Sequence, residues 1–428
     1  MLANTLRSNY LTDSDKMGQA ALTRLDLRSK RPLPEGEVIV PPLPLRERAG
    51  VRVWSVVPVT LCLTALALGA LSCAPDDKTI RIGVFNSLTG GTATFGISST
   101  QGVRMAADEW NAKGGLLGKQ IELIVEDDQS KPEEAAMAVQ KLINQNRVAA
   151  ILGEVASSRT LAGAPIAQKA GIPLITPAST NPRVTRVGDF IFRVCFTDSF
   201  QGVVCARFAA NNLKIKRLAI LKDIKNDYSV GLADFFRQNL LALGGQIVSE
   251  ESYSEGDTDF RAQITSIKAA NPEGIFIPGY YTEAGLIAKQ VAEQNLKVKL
   301  IGGDGWDSPR TAEIGGDAVE GAFFCNHYSA DDTSKLVRDF VNAYQKRYGY
   351  VPDAMAPLAY DAANLLFAAI QKAGVTEGRA VRDAIAGTRD FPGVCGTITI
   401  DAERNARKPA VVLQIAHGQY KIYDVIYP

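Results

Sequence analysis

The chain has 428 residues, of which 46% are hydrophobic and 22% charged, and its 47 lysines and arginines balance 46 aspartates and glutamates. This length and composition exclude a disordered chain and allow two or three domains with large cores. The balanced charge, without a basic patch among aromatic residues, argues against binding of nucleic acid. The two histidines, His327 and His417, are too few for a histidine-rich metal site.

The N-terminal part of the chain is predicted to lie outside the folded protein. Residues 1–50 show no sustained hydrophobic period, so we expect a disordered or non-native extension. Residues 51–73 combine a basic region, a short apolar run and small residues before Cys73, which is typical of a secretory signal peptide. The segment Ala70-Leu71-Ser72-Cys73 resembles a lipoprotein signal, which implies that Cys73 is lipidated and becomes the mature N-terminus. An ordinary signal peptide with an incidental cysteine is the alternative.

Four cysteines remain in the rest of the chain. Export would place them in an oxidising compartment, where they allow three complete pairings, and the sequence does not choose among these. No C-x-x-C motif is present, so a zinc site or a thioredoxin-like motif has no support. These cysteines are Cys195, Cys205, Cys325 and Cys395.

From Thr79 onward, predicted strands and helices alternate, which indicates an α/β fold with parallel sheets flanked by helices. The alternation restarts after Thr197, with enough strands for a second sheet. Three helical segments are predicted between residues 334 and 386, before three final strands. The predicted strands are 80–85, 121–126, 149–152, 173–175, 190–194, 217–221, 246–253, 274–277, 299–301, 321–324, 396–400, 410–416 and 420–427. The predicted helices of the two series include 98–113, 199–212, 228–243, 259–270 and 282–294, and one capped by Ser130.

Known catalytic motifs are missing from the sequence. It contains neither a G-x-S-x-G elbow nor H-E-x-x-H. The run from Gly114 to Gln120 is one residue too short for a phosphate loop and has Gln120 where Ser or Thr is required. The run Gly302-Gly303-Asp304-Gly305 lacks the third glycine of a dinucleotide-binding motif. The sequence therefore favours a binding protein over an enzyme.

Two predicted strands, 149–152 and 173–175, each end in a small polar cluster. Ser157 and Ser158 follow the first strand, and Ala178 and Thr180 follow the second. Neighbouring parallel strands end at the same edge of a sheet, where ligands bind. Hydroxyls and free backbone N–H groups at a helix start suit a carboxylate. The alternative is that these residues only cap helices and turns.

In the second half of the chain, Asp304 ends a predicted strand among glycines and suits a ligand ammonium group, unless it is only a turn aspartate. Glu283 is a weaker candidate for the same role. Several aromatic residues also follow strands or lie in loops, where they can wall a pocket; ordinary packing is the alternative for each. These are Phe95, Tyr228, Tyr280, Tyr281 and Trp306.

Seven motifs, in this order and spacing, resemble the substrate-binding proteins of ABC importers in the leucine/isoleucine/valine-binding group. They are I-R-I-G-V-F-N-S-L-T-G with F-G, N-A-K-G-G-L-L-G, V-E-D-D-Q-S-K-P-E-E-A, G-I-P-L-I-T-P-A-S-T, D-Y-S-V-G, G-D-T-D-F and I-G-G-D-G-W. The resemblance covers about residues 79–426. It implies a two-lobed type I periplasmic-binding-protein fold in which each lobe is a mainly parallel sheet flanked by helices. The implied first lobe is 74–197 plus 329–400 and the second 198–328 plus 401–428, joined by three crossover hinge segments.

The resemblance also implies roles for individual residues. Ser157 and Thr180, with the backbone at Ala178, would hold the carboxylate of an amino acid. Tyr280 and Asp304 would hold its ammonium group. Phe95 and Tyr228 would line the space for the side chain. Asp304 stands where the group often has Glu, Trp306 adds bulk beside it, and Ala156 stands where one cysteine of the group's first-lobe disulfide would be.

We therefore expect an extracytoplasmic receptor without cofactor or metal. It would bind a branched-chain or other apolar amino acid between two closing lobes and deliver it to an ABC permease with its ATPase. We expect a monomer in the periplasm or at the cell surface, held to the membrane only by the lipid on Cys73. The alternative from another class is a sensor for amides, urea or aromatic acids that regulates a partner without transport. An exported enzyme is a third possibility, which the missing catalytic motifs disfavour.

Overall fold

The computed structural model describes residues 78–427. The predicted extension 1–50, the signal peptide 51–73 and the lipidation site Cys73 lie outside these residues and stay predictions. Among the described residues, no helix is both long and apolar enough to cross a membrane.

The first lobe is built on a five-stranded parallel sheet with the order β2-β1-β3-β4-β5. Alternate aliphatic side chains pack against α1, α11 and α12 on one face and against α2 and α3 on the other, which is the burial expected of a parallel sheet. The strands are β1 (Thr79–Asn86), β2 (Gln120–Asp127), β3 (Ala150–Gly153), β4 (Leu174–Thr176) and β5 (Ile191–Arg193). The helices are α1 (Ala93–Ala112), α2 (Pro132–Asn144), α3 (Ser157–Ala170), α4 (Arg183–Arg186), α10 (Lys335–Tyr348), α11 (Met355–Ala373) and α12 (Gly378–Ala386).

The second lobe is built on a seven-stranded sheet with the order β15-β14-β10-β9-β8-β6-β7. Its last two strands in the chain pair antiparallel, and the others pair parallel. Helices α5 and α6 cover one face, and α7 and α8 cover the other. The strands are β6 (Arg217–Asp223), β7 (Gln246–Tyr253), β8 (Gly274–Ile277), β9 (Lys299–Gly302), β10 (Phe323–Asn326), β14 (Ala410–Ala416) and β15 (Gln419–Ile426). The helices are α5 (Asp198–Arg207), α6 (Asp227–Ala242), α7 (Arg261–Ala269), α8 (Tyr281–Glu293) and α9 (Pro309–Gly315).

The chain passes between the two large sheets at three places, as the two-lobed fold requires. The first crossing follows β5, the second follows β10 and the third precedes β14. A small antiparallel sheet of β11 (Phe391–Gly393), β12 (Gly396–Ile400) and β13 (Ala406–Arg407) lies before the third crossing. The predicted lobe boundaries at residues 197, 328 and 400 stay predictions.

Local sequence signals account for several element ends. Pro132 and two glutamates open α2, where a missing N–H and negative charge are favourable. Helix α3 ends at Gly171, whose φ of 66° is the left-handed conformation that glycine adopts readily. Asn226 caps α6 by accepting a hydrogen bond from the Tyr228 N–H at 3.0 Å. That cap fixes the start of a helix that carries a predicted site residue.

The structure differs from two sequence expectations and answers one open question. The cap position of α2 belongs to Lys131 and not to Ser130. The single helix predicted over 199–212 is α5 followed by a π-helical turn, Phe208–Asn212. The cysteines are buried free thiols, so none of the three possible pairings is formed. These thiols are Cys195, Cys205, Cys325 and Cys395.

Candidate ligand-binding cleft

The seven predicted ligand-binding residues line one small cavity between the lobes. The cavity is small, because side chains from both lobes converge on it. Its lining residues are Phe95, Val155, Ser157, Ala178, Thr180, Tyr228, Tyr280, Asp304, Gly305 and Met355. Residues that are more than 200 positions apart in the chain therefore meet, because all of them except Met355 come after a strand at the facing edges of the two sheets.

Ser157 and Thr180 form the polar wall on the first lobe. Ser157 is the first residue of α3, and the cap position belongs to Ala156, whose side chain makes no capping bond. The Ser157 Oγ instead accepts a hydrogen bond from the Asn181 N–H at 3.2 Å, which ties the two strand-end clusters together. The first N–H groups of α3 have no acceptor inside the helix. This wall offers hydroxyls and backbone donors of the kind that bind a carboxylate.

Hydrogen bonds beneath this wall hold its shape. The Thr176 and Ser179 hydroxyls donate to the Glu154 carbonyl oxygen at 2.6 and 2.9 Å. The buried Arg193 guanidinium donates to the Ser179 and Asn181 carbonyl oxygens at 2.6 and 2.7 Å. These bonds keep the loop around Thr180 in one conformation, so that its donors do not have to be ordered by a ligand.

Asp304 forms the acidic part of the second-lobe wall. It begins a 3₁₀ turn after β9, and only 3% of its surface is exposed. Gln201 Nε2 donates to Asp304 Oδ1 at 2.8 Å, and His327 Nε2 lies 2.9 Å from Asp304 Oδ2. The carboxylate is therefore oriented from two sides while it still lines the cavity.

Aromatic rings form the apolar part of the cavity. The Tyr228 and Tyr280 rings are parallel, with centroids 5.5 Å apart, and Phe95 meets Tyr280 edge to face at 6.0 Å. The Tyr228 hydroxyl oxygen accepts a hydrogen bond from the Gly305 N–H at 3.2 Å. A Cβ on Gly305 would lie 2.5 Å from the Gly279 carbonyl oxygen and 2.9 Å from the Tyr280 ring, so the close approach of this backbone and this ring requires a glycine.

Three candidates from the sequence lie outside the cavity lining. Trp306 is fully buried beneath β8, where its Nε1 donates to the Ile277 carbonyl oxygen at 3.0 Å, so it packs in the core and does not wall the cavity. Tyr281 packs edge to face on Phe95 at 4.8 Å. Glu283 accepts a hydrogen bond from a backbone N–H at 3.0 Å and has a pKa raised by burial. Trp306 and Tyr281 therefore have the packing role that was the alternative for each, and Glu283 contacts a backbone N–H outside the cavity.

Sequence reasoning missed the buried polar residues behind the cavity. Asp198, Gln201 and His327 are all buried, and all lie at or next to a crossing between the lobes. Burial, and then the charge of Asp304, raise the pKa of Asp198 well above its ordinary value. The only feature of the sequence that could have indicated these residues is their position after β5 or β10, the strands that precede the first and second crossings.

A second charged cluster lies beside the cavity. The buried Arg159 forms an ion pair with Glu154 at 3.1 Å and donates to Thr92 Oγ1 at 2.7 Å. Burial and the charge of Glu154 raise the pKa of Asp128 to about 7. Burial likewise raises the pKa of Glu255, on the second lobe, to about 7. Within residues 78–427, no group of His, Cys, Asp and Glu side chains could hold a metal ion.

Direct contacts close the lobes around the cavity. Arg183 pairs with Asp227 at 2.6 Å, and Asn181 Nδ2 donates to the Asp227 carbonyl oxygen at 2.7 Å. Elsewhere along the cleft, the Thr94 and Ser308 hydroxyl oxygens are 3.1 Å apart. The structure is therefore the closed form, in which groups from both lobes can touch one small ligand at the same time.

Comparison with known proteins agrees with this fold and cleft. A family model described as "periplasmic binding protein" matches residues 79–419, so the chain belongs to that family. A relative from Brucella abortus, the "Leu/Ile/Val-binding protein homolog 2", is 34% identical over 372 residues, covering 85% of this chain and 97% of the relative. Within the family, the chain is a type I protein of the branched-chain amino acid group.

Solved structures show the same relationship. The leucine-binding protein LivK from Thermotoga maritima is 40% identical, with a TM-score of 0.79, over 82% of this chain and 99% of that one. LivJ from Streptococcus pneumoniae, solved in complex with isoleucine, is 34% identical, with a TM-score of 0.78, over 82% and 100%. A solute-binding protein from Rhodopseudomonas palustris, solved with 3,4-dihydroxybenzoic acid, is 28% identical, with a TM-score of 0.74, over 82% and 98%.

Proposed function

We propose that the protein is the extracytoplasmic receptor of an ABC importer for a branched-chain or other apolar amino acid. The observation that carries this proposal is that Ser157 and Thr180 on one lobe and Asp304 on the other line a single closed cavity. An α-amino acid carries a carboxylate and an ammonium group on one carbon. Its two charges therefore match the two walls.

In this proposal, the carboxylate binds the hydroxyls of Ser157 and Thr180 and the backbone at Ala178. The ammonium group binds the Asp304 carboxylate and Tyr280. The aliphatic side chain packs among Phe95, Tyr228 and Met355, the last of which adds a flexible apolar surface. The relatives named for leucine, isoleucine and valine support this choice of ligand class. No catalytic residue and no cofactor belong to this function.

Closure follows from differential binding. Only the closed form lets one ligand touch both walls, so the ligand shifts the population toward that form. Micromolar affinity needs about −8 kcal/mol, whereas a leucine-sized ligand at the best ligand efficiencies reaches roughly −13 kcal/mol. The difference leaves several kcal/mol for closing the lobes and desolvating the charges.

We propose that the closed monomer then delivers its ligand to a membrane permease with its ATPase, while a lipid on Cys73 keeps it near the membrane.

Calorimetric titration with a panel of ligands tests this function. The protein is first unfolded and refolded to remove any ligand that co-purifies, and is then titrated with leucine, isoleucine, valine, benzoate, acetamide and urea. We expect one-to-one binding of at least one of the three amino acids at micromolar or tighter affinity. Binding of benzoate, acetamide or urea in the absence of amino-acid binding would overturn the assignment.

A sensor for aromatic acids is the second candidate. The protein solved with 3,4-dihydroxybenzoic acid supports the aromatic ligand class, but it is itself a solute-binding protein of an ABC transporter and so does not support sensing. The stacked Tyr228 and Tyr280 rings would suit an aromatic ligand. Asp304 opposes this candidate, because a buried carboxylate without a ligand cation facing it is costly. Adjoining permease and ATPase genes would favour transport over sensing.

A further inference from the structure

His327 is the residue that contacts Asp304 from behind the cavity. It lies in the second crossing, one residue after β10, and its side chain has no exposed surface. Its Nε2 is 2.9 Å from Asp304 Oδ2. Its ring stacks on Phe196 in the first crossing, with centroids 3.6 Å apart and planes at 27°. The imidazole therefore connects the acidic wall of the cavity to two of the three hinge segments.

The hydrogen-bond pattern defines the tautomer of this histidine. A carboxylate oxygen accepts, so Nε2 is the nitrogen that carries the proton. The other ring nitrogen, Nδ1, is buried and has no hydrogen-bond partner among residues 78–427. A neutral ring with its proton on Nε2 satisfies this arrangement, and a second proton on Nδ1 would have no acceptor there.

Burial and the surrounding charged groups explain why the ring is neutral near pH 7 and gains a second proton only at acid pH. Burial lowers the pKa of His327, the hydrogen bond and charge of Asp304 act in the opposite direction, and the positive charge of Lys408 in the third crossing lowers it further. Asp198, at the start of α5, faces Asp304 as a second acid. The thiol of Cys195 also lies in this buried region, with its pKa raised to about 12 by burial.

A protonated His327 would bring a positive charge to the same carboxylate that the ligand ammonium requires. The imidazolium and the ammonium group would then compete for Asp304. A neutral His327 leaves the Asp304 charge available for a ligand cation, whereas a protonated one compensates that charge internally and makes the wall suitable for a ligand without an ammonium group.

We propose that His327 is a positioning residue for Asp304 whose protonation switches the cavity from α-amino acids to carboxylic acids that lack the ammonium group. This inference rests on the proposed function, because it takes Asp304 as the ammonium receptor. It adds a specificity determinant that acts through Asp304 and does not itself line the cavity. It also predicts a second ligand class, the 2-oxo acids of the same carbon skeleton.

Two ligands titrated against the unaltered protein provide the test without any substitution. Leucine and 2-oxo-4-methylpentanoate share a carboxylate and an isobutyl group, and only leucine has an ammonium group. Burial lowers the pKa of His327 below the ordinary histidine value, so the titration runs from about pH 8 to about pH 4.5. We expect leucine affinity to fall about three- to tenfold toward the acid end of this range. Over the same range we expect the affinity for the 2-oxo acid to rise. Parallel pH profiles for the two ligands would overturn the proposal.

The His327→Gln variant isolates the histidine from the other groups with raised pKa values near the cavity, because Asp128, Asp198 and Glu255 remain unchanged. Glutamine still donates to Asp304 but is neutral at every pH. We expect the opposite slopes of the two ligands to become parallel in this variant, whereas the His417→Asn control, which changes the other, exposed histidine, keeps them. Unchanged opposite slopes in His327→Gln would overturn the role of His327.

The outcomes separate this inference from the proposed function. Leucine binding with parallel pH profiles leaves the amino-acid receptor intact and overturns only the switch. Failure of the unaltered protein to bind any amino acid overturns both. Gln201→Met removes the other donor to Asp304 while His327 remains, so we expect weaker leucine binding with the opposite slopes retained. Loss of the slopes in that variant would show that His327 is not their source.

Discussion

The Asp227 N–H, on the second lobe, donates a hydrogen bond to Ser158 Oγ, on the first lobe, at 2.8 Å. Ser158 is the neighbour of Ser157 and Asp227 is the neighbour of Tyr228, and both of these neighbours line the cavity. Each pair lies at the first turn of a helix, α3 or α6. Closure of the lobes and enclosure of the ligand space therefore occur at adjacent residues.

Ser158→Ala should weaken the binding of every ligand by the same factor, because it removes a closing contact without touching the ligand. The expected loss is about 0.5–1.5 kcal/mol, or roughly two- to twelvefold in Kd. Titration of leucine, isoleucine and valine checks this expectation. A loss confined to one of the ligands would contradict it.

Ser157→Ala and Thr180→Val should each weaken leucine binding through the carboxylate. A hydrogen bond to a charged group contributes about 1.5–3 kcal/mol, which corresponds to a roughly 10- to 150-fold rise in Kd. Leucinamide, which has no carboxylate, is the matched ligand: its weak binding should change much less. Equal losses for leucine and leucinamide would place the carboxylate elsewhere.

Asp304→Asn should reduce leucine affinity at least about a hundredfold, because the ligand ammonium would be buried without a counter-charge. Binding of 2-oxo-4-methylpentanoate should not fall, since that ligand has no cation to lose its partner. Asp304→Glu restores the charge and should recover part of the leucine affinity. Similar losses for both ligands in Asp304→Asn would point to misfolding or to another ammonium receptor.

Gly102→Ala should destabilise the first lobe. A Cβ at Gly102 on α1 would lie 2.1 Å from the carbonyl oxygen of Ala356 on α11, so the two helices would have to move apart. Overpacking of this kind costs about 1–3 kcal/mol and should lower the thermal midpoint by about 2–8 °C. At the control position Gly91, a Cβ would make only an ordinary contact with Glu255 Oε1 at 3.6 Å. Equal midpoints for Gly102→Ala and Gly91→Ala would refute the close packing.

The contribution of Asp353 to the free energy of unfolding should fall as the pH rises. Burial and the nearby charge of Asp307 raise the Asp353 pKa to about 8, above its unfolded value. The folded protein then holds a proton that the unfolded chain releases, so this stabilising contribution is complete at low pH and is lost as the pH approaches about 8. Asp353→Asn is neutral throughout, and its thermal midpoint should fall less than that of the unaltered protein between about pH 5 and about pH 8. Parallel midpoint curves for the two proteins would contradict the raised pKa.

The lining of the cavity could be predicted because its residues follow strands directly. Ser157, Thr180 and Asp304 each lie just beyond a buried apolar run, and parallel strands bring such positions to one edge. The glycines around Asp304 were not explained by the sequence. A Cβ on Gly303 would lie 2.3 Å from Gln201 Oε1 and 2.4 Å from the Tyr228 hydroxyl oxygen, so these glycines allow close packing around the site.

The layer behind the cavity could not be predicted from local pattern. Gln201 and Asp304 are 103 residues apart, and only the packing of α5 against the second sheet brings them together. The interaction of His327 with Asp304 likewise depends on where a crossing segment turns. Trp306 was misplaced for a related reason, because side chains that follow a strand can turn to either face of the sheet. Here Trp306 turns into the core beneath Gly302, where a Cβ would lie 2.3 Å from its indole ring.

The central claim is that one zwitterion is held by opposed charge receptors on two lobes. A crystal structure of the protein with bound leucine tests it directly, through the distance from the leucine nitrogen to the Asp304 carboxylate oxygens. We expect that distance to be about 2.7–3.2 Å, with the leucine carboxylate at similar distance from Ser157 Oγ and Thr180 Oγ1. Leucine bound with its nitrogen away from Asp304, or with both charged groups on the same lobe, would contradict the claim.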